Sequence, residues 1–367
     1  VSEAMSPQRR YERDLQAPDF HADASQAMAV AELQALYEAL LQPTPAPSLW
    51  ARLTGKRERE PVRGLYFWGG VGRGKTYLMD NFYESLPFKE KMRAHFHRFM
   101  RRVHSELKKL AGQKNPLEQV ADNIAGEARV ICFDEFFVSD ITDAMILAGL
   151  LDGLFRRGVT LVATSNIEPS GLYKDGLQRV RFLPAIALLQ KHTKVVNVDG
   201  GVDYRLRALE QAELYYSPLG QVAEQGLERA FVSLAPAGAQ RRADVKLEVE
   251  GRPILARWVA DDVAWFEFNE LCDGPRSQND YIELAREFHT VLVANVPQLG
   301  GDKDDQARRF INLVDEFYDR HVKLVVSAEQ PLESLYAGGR LEFEFERTAS
   351  RLLEMRSHEY LGRPHRP

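Results

Sequence analysis

The most chemically specific residues of the chain are Gly69, Gly70, Val71, Gly72, Arg73, Gly74, Lys75 and Thr76, which follow the spacing G-x-x-x-x-G-K-[ST]. Glycines at these steps let successive backbone N–H groups turn inward with no Cβ in the way, forming a nest for an anion. Lys75 then reaches the β- and γ-phosphates of a nucleotide, and the Thr76 hydroxyl faces Mg²⁺. Asp134 and Glu135 end the run RVICFDE at 129–135. The first carboxylate suits Mg²⁺ through its water shell, and the second polarises an attacking water as a general base. A small-molecule kinase would lose its ATP to that water, so hydrolysis of ATP is the expected reaction. Asn166 follows the next apolar run, where a polar side chain touches both the γ-phosphate and the water. Arg179 and Arg181 precede a later helix, and either suits a finger reaching a neighbouring subunit's γ-phosphate.

These residues need a scaffold of alternating strands and helices. Residues 64–68 (GLYFW) read as a strand before the loop; Leu78, Met79, Phe82, Tyr83 and Leu86 recur at helical spacing after it. Strand, glycine loop, helix also puts a helix N-terminus at the phosphates. Tyr66, Phe67 and Trp68 are assigned to packing. Strands are expected at 93–97, 129–135, 159–163 and 195–198, with helices at 99–110, from an Asp140 N-cap to Phe155, and at 182–190. The expected fold is therefore α/β, a three-layer P-loop core with a mostly parallel sheet. An N-terminal segment, 1–60, holds a helix over 27–41 and an extended connector at Pro43, Pro45 and Pro47, with a charged turn at 56–60. The ATPase core spans 61–204. Residues 205–275 read as a β-containing insertion, with a hairpin at 245–250 and 254–259 and a third strand at 264–268. The final region, 276–367, returns to α/β form and is expected to pack on the core. Its elements are helices 280–288 and 307–320 and strands 290–294 and 322–327, which are candidates to extend the main sheet.

One internal echo crosses this division. Asp152, Leu154, Phe155, Arg157, Val159, Leu161, Val162, Leu172 and Tyr173 fall onto Asp315, Phe317, Tyr318, Arg320, Val322, Leu324, Val325, Leu335 and Tyr336 at a constant offset of 163. It reads as two similar helix–strand units in preference to a true repeat.

Composition excludes several classes. At 367 residues, 44% hydrophobic and 28% charged, the chain is an ordinary globular protein with more than one compact part. A formal charge of −5 argues against wholesale coating of nucleic acid. Two cysteines make no disulfide framework, which fits a reducing, cytoplasmic setting. No apolar run approaches the roughly 20 residues that span a bilayer, and no signal-peptide core is evident; Met5 is read as nearer the natural start. Residues 89–114 hold nine Lys or Arg against Glu90 and Glu106. This basic stretch is either a solvated helix surface or a face for an acidic partner or nucleic acid. His95, His97 and His104 lack the companions of a metal site and are read as structural.

Longer blocks carry a resemblance. GLYFWGGVGRGKT (64–76), HFHRFMRRVH (95–104), ICFDEFFVSDITDAMIL (131–147), LVATSN (161–166), GLQRVRFLPAI (176–186), DYR (203–205), ARRFINLVDEFYD (307–319) and RTASRLLEM (347–355) occur in an order that resembles the ZapE family of AAA+ ATPases, bacterial relatives of the mitochondrial Afg-type ATPase. The resemblance implies an AAA+ core that hydrolyses Mg-ATP and acts on protein clients. For bacterial members it implies a cytoplasmic, membrane-peripheral role at the division ring through the tubulin-like FtsZ. It implies Lys75 and Thr76 on phosphate and Mg²⁺, Asp134 on Mg²⁺, Glu135 as base, Asn166 as first sensor and Arg179, in preference to Arg181, as finger; an ATP-dependent homo-oligomer is an expectation that the sequence itself does not decide. A helical lid with an evident second-sensor arginine is not readable; Arg308 and Arg309 are the candidates. The alternatives are a nucleotide-gated protein-binding switch, or a nucleic-acid motor or loader using the basic stretch.

Overall fold

The computed structural model describes residues 5–16, 24–42, 60–70, 74–138, 140–199, 209, 212–235 and 239–366. The proline connector, most of the charged turn and Val71, Gly72 and Arg73 lie outside the described residues. Two compact units divide at Val202 and Asp203.

The first unit opens with helices α1 (Pro7–Asp14) and α2 (Ala24–Leu41). Alternating strands and helices follow: β1 (Gly64–Trp68), α3 (Lys75–Ser85), β2 (Lys91–His95), α4 (Phe96–Lys109), α5 (Pro116–Glu127), β3 (Val130–Asp134), α6 (Ile141–Arg156), β4 (Thr160–Ser165), α7 (Leu183–His192) and β5 (Thr193–Asn197). The five strands pair in parallel in the order β2-β3-β4-β1-β5. Successive side chains on a strand point to opposite faces, so each strand feeds both. Tyr66, Ile131, Phe133, Leu161 and Ala163 pack under α4 to α7; Leu65, Phe67, Cys132 and Val162 pack under α1, α2 and α3. Burial on both faces explains the near-continuous apolar strand sequences. Gly64 permits close strand approach, since a Cβ there would lie 1.7 Å from the Leu161 carbonyl oxygen. The three-layer α/β P-loop reading holds.

Several boundaries shift. The strand expected at 93–97 is β2, two residues earlier, because α4 starts directly after it at Phe96. Asp140 caps α6 as expected, its carboxylate accepting from the backbone N–H groups of Thr142 and Asp143.

The second unit contains β6 (Tyr215–Tyr216), α8 (Gln221–Leu234), β7 (Arg242–Val249), β8 (Arg252–Ala260), β9 (Val263–Glu267), α9 (Phe268–Cys272), α10 (Gln278–Glu287), β10 (Thr290–Val296), α11 (Asp304–Asp319), β11 (Lys323–Ala328), α12 (Glu342–Glu354) and α13 (His358–Leu361). Its strands form a separate sheet in the order β6-β11-β10-β9-β8-β7. The C-terminal strands therefore do not extend the main sheet. The hairpin β7–β8 and strand β9 share one sheet with β10 and β11, because β9 pairs in parallel with β10. Among the described residues no helix is long and apolar enough to cross a membrane.

Candidate functional site

Strand β1 delivers Gly69 and Gly70, and α3 begins at Lys75. Gly74 makes the join: its φ is +74°, and a Cβ there would sit 2.4 Å from the Gln26 side-chain amide. The left-handed backbone favours glycine here, and a side chain would also have to displace Gln26. The Lys75 ammonium donates to the carbonyl oxygens of Gly69 at 2.6 Å and Gly70 at 2.8 Å, and to Asn166 Oδ1 at 2.6 Å. The last contact follows from topology. Strand β4 lies beside β1 with Ser165 opposite Trp68, so Asn166 leaves its strand next to the loop.

Asp134 and Glu135 leave the next strand over. The side chain of Asp134 is nearly buried, and its carboxylate accepts from Arg93 Nε at 2.7 Å. Arg93 also pairs with Asp80 on α3, so one guanidinium joins the helix after the glycine loop to the end of β3. Burial alone would lower the Arg93 pKa, but Asp134 and Asp80 more than offset this and hold it above the ordinary arginine value. Cys132, two residues before Asp134, is a packing residue; burial pushes its thiol up to about 12.

Glu135 sits at φ +51°, outside the strand geometry of the residues before it. Its N–H donates to Thr164 Oγ1 at 3.3 Å, and the N–H of Phe136 to the Thr164 carbonyl at 2.7 Å. Ser165 Oγ donates to the Phe136 carbonyl at 2.7 Å, and the Ile167 N–H donates to that same hydroxyl at 3.1 Å. These bonds hold the segments after β3 and β4 together, so Glu135 and Asn166 emerge at one sheet edge. The hydroxyls of Thr164 and Ser165 and the guanidinium of Arg93 were not among the sequence candidates. Thr164-Ser165 directly before Asn166 is the available signal in the sequence; Arg93 has none beyond its place in the basic stretch.

Arg179 and Arg181 lie on a single 3-10 turn, Arg179–Arg181. Arg179 is half-buried and donates to the Ser170 carbonyl at 2.7 Å, whereas Arg181 is exposed. The basic stretch is less available than its count implies. Lys91 donates to the carbonyls of Tyr83 and Leu86, Arg93 is held as above, and Arg102 pairs with Glu106 and Glu127. In the second unit, Arg309 donates to the Cys272 carbonyl, and Arg308 is exposed.

Gly69, Gly70 and Gly74, a lysine on the first two carbonyls, a strand-end Asp-Glu pair and a neighbouring Asn form the candidate edge for hydrolysing a nucleotide. Comparison with known proteins agrees with that chemistry: the family model "AFG1-like ATPase" matches residues 5–364. The chain belongs to the AFG1-like ATPase family. As a member it binds ATP and hydrolyses it. Cell division protein ZapE of Escherichia coli K12 is 53% identical, with 99% of each chain covered. Lactation elevated protein 1 homolog B of Danio rerio is 39% identical over 82% of this chain and 68% of its own. Among solved structures, the crystal structure of DnaI shows 17% identity over 52% of this chain and 92% of its own, at a TM-score of 0.36. That likeness is too loose to carry an argument.

Proposed function

We propose that this AFG1-like ATPase spends Mg-ATP on a protein client during cell division, and that the client is the tubulin-like FtsZ. The observation carrying the catalytic half is the shared edge: Glu135 and Asn166 leave adjacent strands, and Asn166 touches the loop lysine at 2.6 Å. In this reading Lys75 moves from the Gly69 and Gly70 carbonyls to the β- and γ-phosphates. Glu135 takes a proton from the attacking water, and Asn166, freed from Lys75, bonds the γ-phosphate and that water. Thr76 and Asp134 offer a hydroxyl and a carboxylate oxygen, the hard donors Mg²⁺ prefers. When bound, the ion neutralises charge on the β- and γ-oxygens.

The cellular half rests on the 53% identity to the cell division protein ZapE of Escherichia coli. That role is cytoplasmic, peripheral to the membrane at the division site. A second copy of this chain is part of the proposal. Arg179 and Arg181 are flanked by Leu177 and Val180, 69% and 78% exposed, an apolar surface suited to a neighbour. An acidic partner on the basic 89–114 face is a lesser part, given how many of those cations are already paired.

The test is sedimentation of FtsZ polymers with the full chain and ATP. We expect the polymer yield to change with the wild-type chain and not with Glu135→Gln, which keeps ATP but does not turn it over. An equal change with the variant would favour a nucleotide-gated switch, the reading to which the Lys75–Asn166 contact also lends itself, since ATP must break it. No change with either chain would contradict the client assignment.

A further inference from the structure

The second unit repeats the first at the level of register. Strand order β1-β4-β3-β2 of the first unit corresponds to β6-β11-β10-β9 of the second, parallel throughout. Helix α6 and strand β4 map onto α11 and β11 with both ends of each displaced by 163. Pairing is conserved as well: Val130 opposite Thr160 becomes Thr290 opposite Lys323, and Lys91 opposite Val130 becomes Val263 opposite Thr290. A one-residue slip would turn every side chain to the other face, so agreement at three strand pairs is a strong constraint; the third sets Tyr66 opposite Ala163 and Tyr215 opposite Val326.

Local details agree too. The Thr160 N–H donates to the Arg129 carbonyl at 2.9 Å, and the Lys323 N–H to the His289 carbonyl at 2.8 Å. Gly158 at φ +78° is matched by His321 at +57°, each just before its strand. Glu135 at φ +51°, donating to Thr164 Oγ1, is matched by Asn295 at +61°, donating to Ser327 Oγ at 2.9 Å. A left-handed residue that is not glycine is uncommon. Finding one at equivalent strand ends, tied to equivalent hydroxyls, is hard to reconcile with two unrelated helix–strand units.

What differs is the chemistry. Ala294 stands where Asp134 stands in the first unit, Asn295 where Glu135 stands, and Glu329 where Asn166 stands. Between strand and helix the second unit has only Ser217, Pro218, Leu219 and Gly220, and its helix starts with Gln221 where the first starts with Lys75. Four residues with one glycine and no lysine make no phosphate nest. The same edge is occupied by the unit's own side chains. Glu267 accepts from Asn295 Nδ2 at 2.8 Å and pairs with Arg257 at 2.8 Å, and Arg257 also pairs with Glu224 in the first turn of α8. Glu224 and Glu267 thus hold one guanidinium between them at that edge, where the first unit presents Lys75, Asp134 and Glu135.

We infer that residues 203–367 are a second copy of the ATPase core whose nucleotide edge is closed, so that each chain takes up one ATP. The test is equilibrium binding of a non-hydrolysable ATP analogue to the full chain, with peptide mapping after cross-linking of an azido derivative. The expected result is one analogue per chain, label confined to peptides within 60–199, and at least a tenfold loss of affinity in Lys75→Ala. Two analogues per chain, or label on peptides from 212–335, would overturn the inference.

Discussion

Arg93 carries more of this site than its sequence context suggests. On the page of residues it is one cation among nine; in the fold it bridges Asp80 of α3 and Asp134 of β3. The difference is non-local pairing. Strand β2 sets Ala94 beside Phe133 and His95 beside Asp134, a register that no local pattern encodes. Removing the guanidinium leaves the Asp134 carboxylate, whose side chain is 11% exposed, without its counter-charge. Arg93→Ala should therefore destabilise the first unit by about 2–4 kcal/mol, below the full cost of a buried pair because Asp80 is partly solvated. Urea unfolding measures this; a change under about 0.5 kcal/mol would mean the bridge contributes nothing. Lys75, Thr76, Asp134, Glu135 and Asn166 stand out as candidates in the sequence because they sit in short motifs.

Elements were legible where one face is apolar and a cap marks the end. Asp140 before α6 and the spacing of Leu78, Met79 and Phe82 in α3 are cases of this. Helix α5 was missed: only Val120, Ala121 and Ile124 are fully buried along it, too few to show a period, although Asn115-Pro116 is a start signal. Helix α8 was missed for another reason. Ala223, Leu227, Ala230, Phe231 and Leu234 have helical spacing, but the neighbouring hairpin drew the whole region into a β reading. The C-terminal segment after α13 was also unread, and it returns to the second sheet. His321 Nδ1 donates to the Pro364 carbonyl at 2.8 Å, and buried Lys323 donates to the carbonyls of Tyr360 and Arg363. Burial lowers the His321 pKa below its usual 6.5, nearby Arg366, Lys323 and Arg363 act in the same direction, and the Pro364 bond opposes them. A lowered folded pKa contributes stability that is present above the unfolded value and lost as pH falls through the folded one. Amide exchange in 358–366, corrected for intrinsic rate, should thus be faster at about pH 5.5 than at about pH 7.5, with no difference if His321 stays neutral throughout.

The whole chain is one working ATPase core and one relative of it, and this arrangement was half visible in the sequence. The offset of 163 is there, but a repeat whose loop and carboxylates have been replaced keeps mostly packing residues, with only Asp152/Asp315 and Arg157/Arg320 as charged pairs. Strand register and the left-handed turns then identify it. With a single site per chain, the arginine finger proposed above would come from a neighbouring chain. Molar mass in solution should rise on adding ATP, and Val180→Asp should reduce both that rise and turnover, by about tenfold for loss of one transition-state contact; unchanged mass and turnover would remove the Arg179–Arg181 surface from the account. In the proposed reaction Glu135 activates the attacking water. Phosphate release by Glu135→Gln, measured beside its ATP affinity, tests it most directly. Turnover should fall by about 10²–10⁴-fold with ATP affinity within a few-fold of wild type; near-normal release by a variant that still binds ATP would rule Glu135 out as the base.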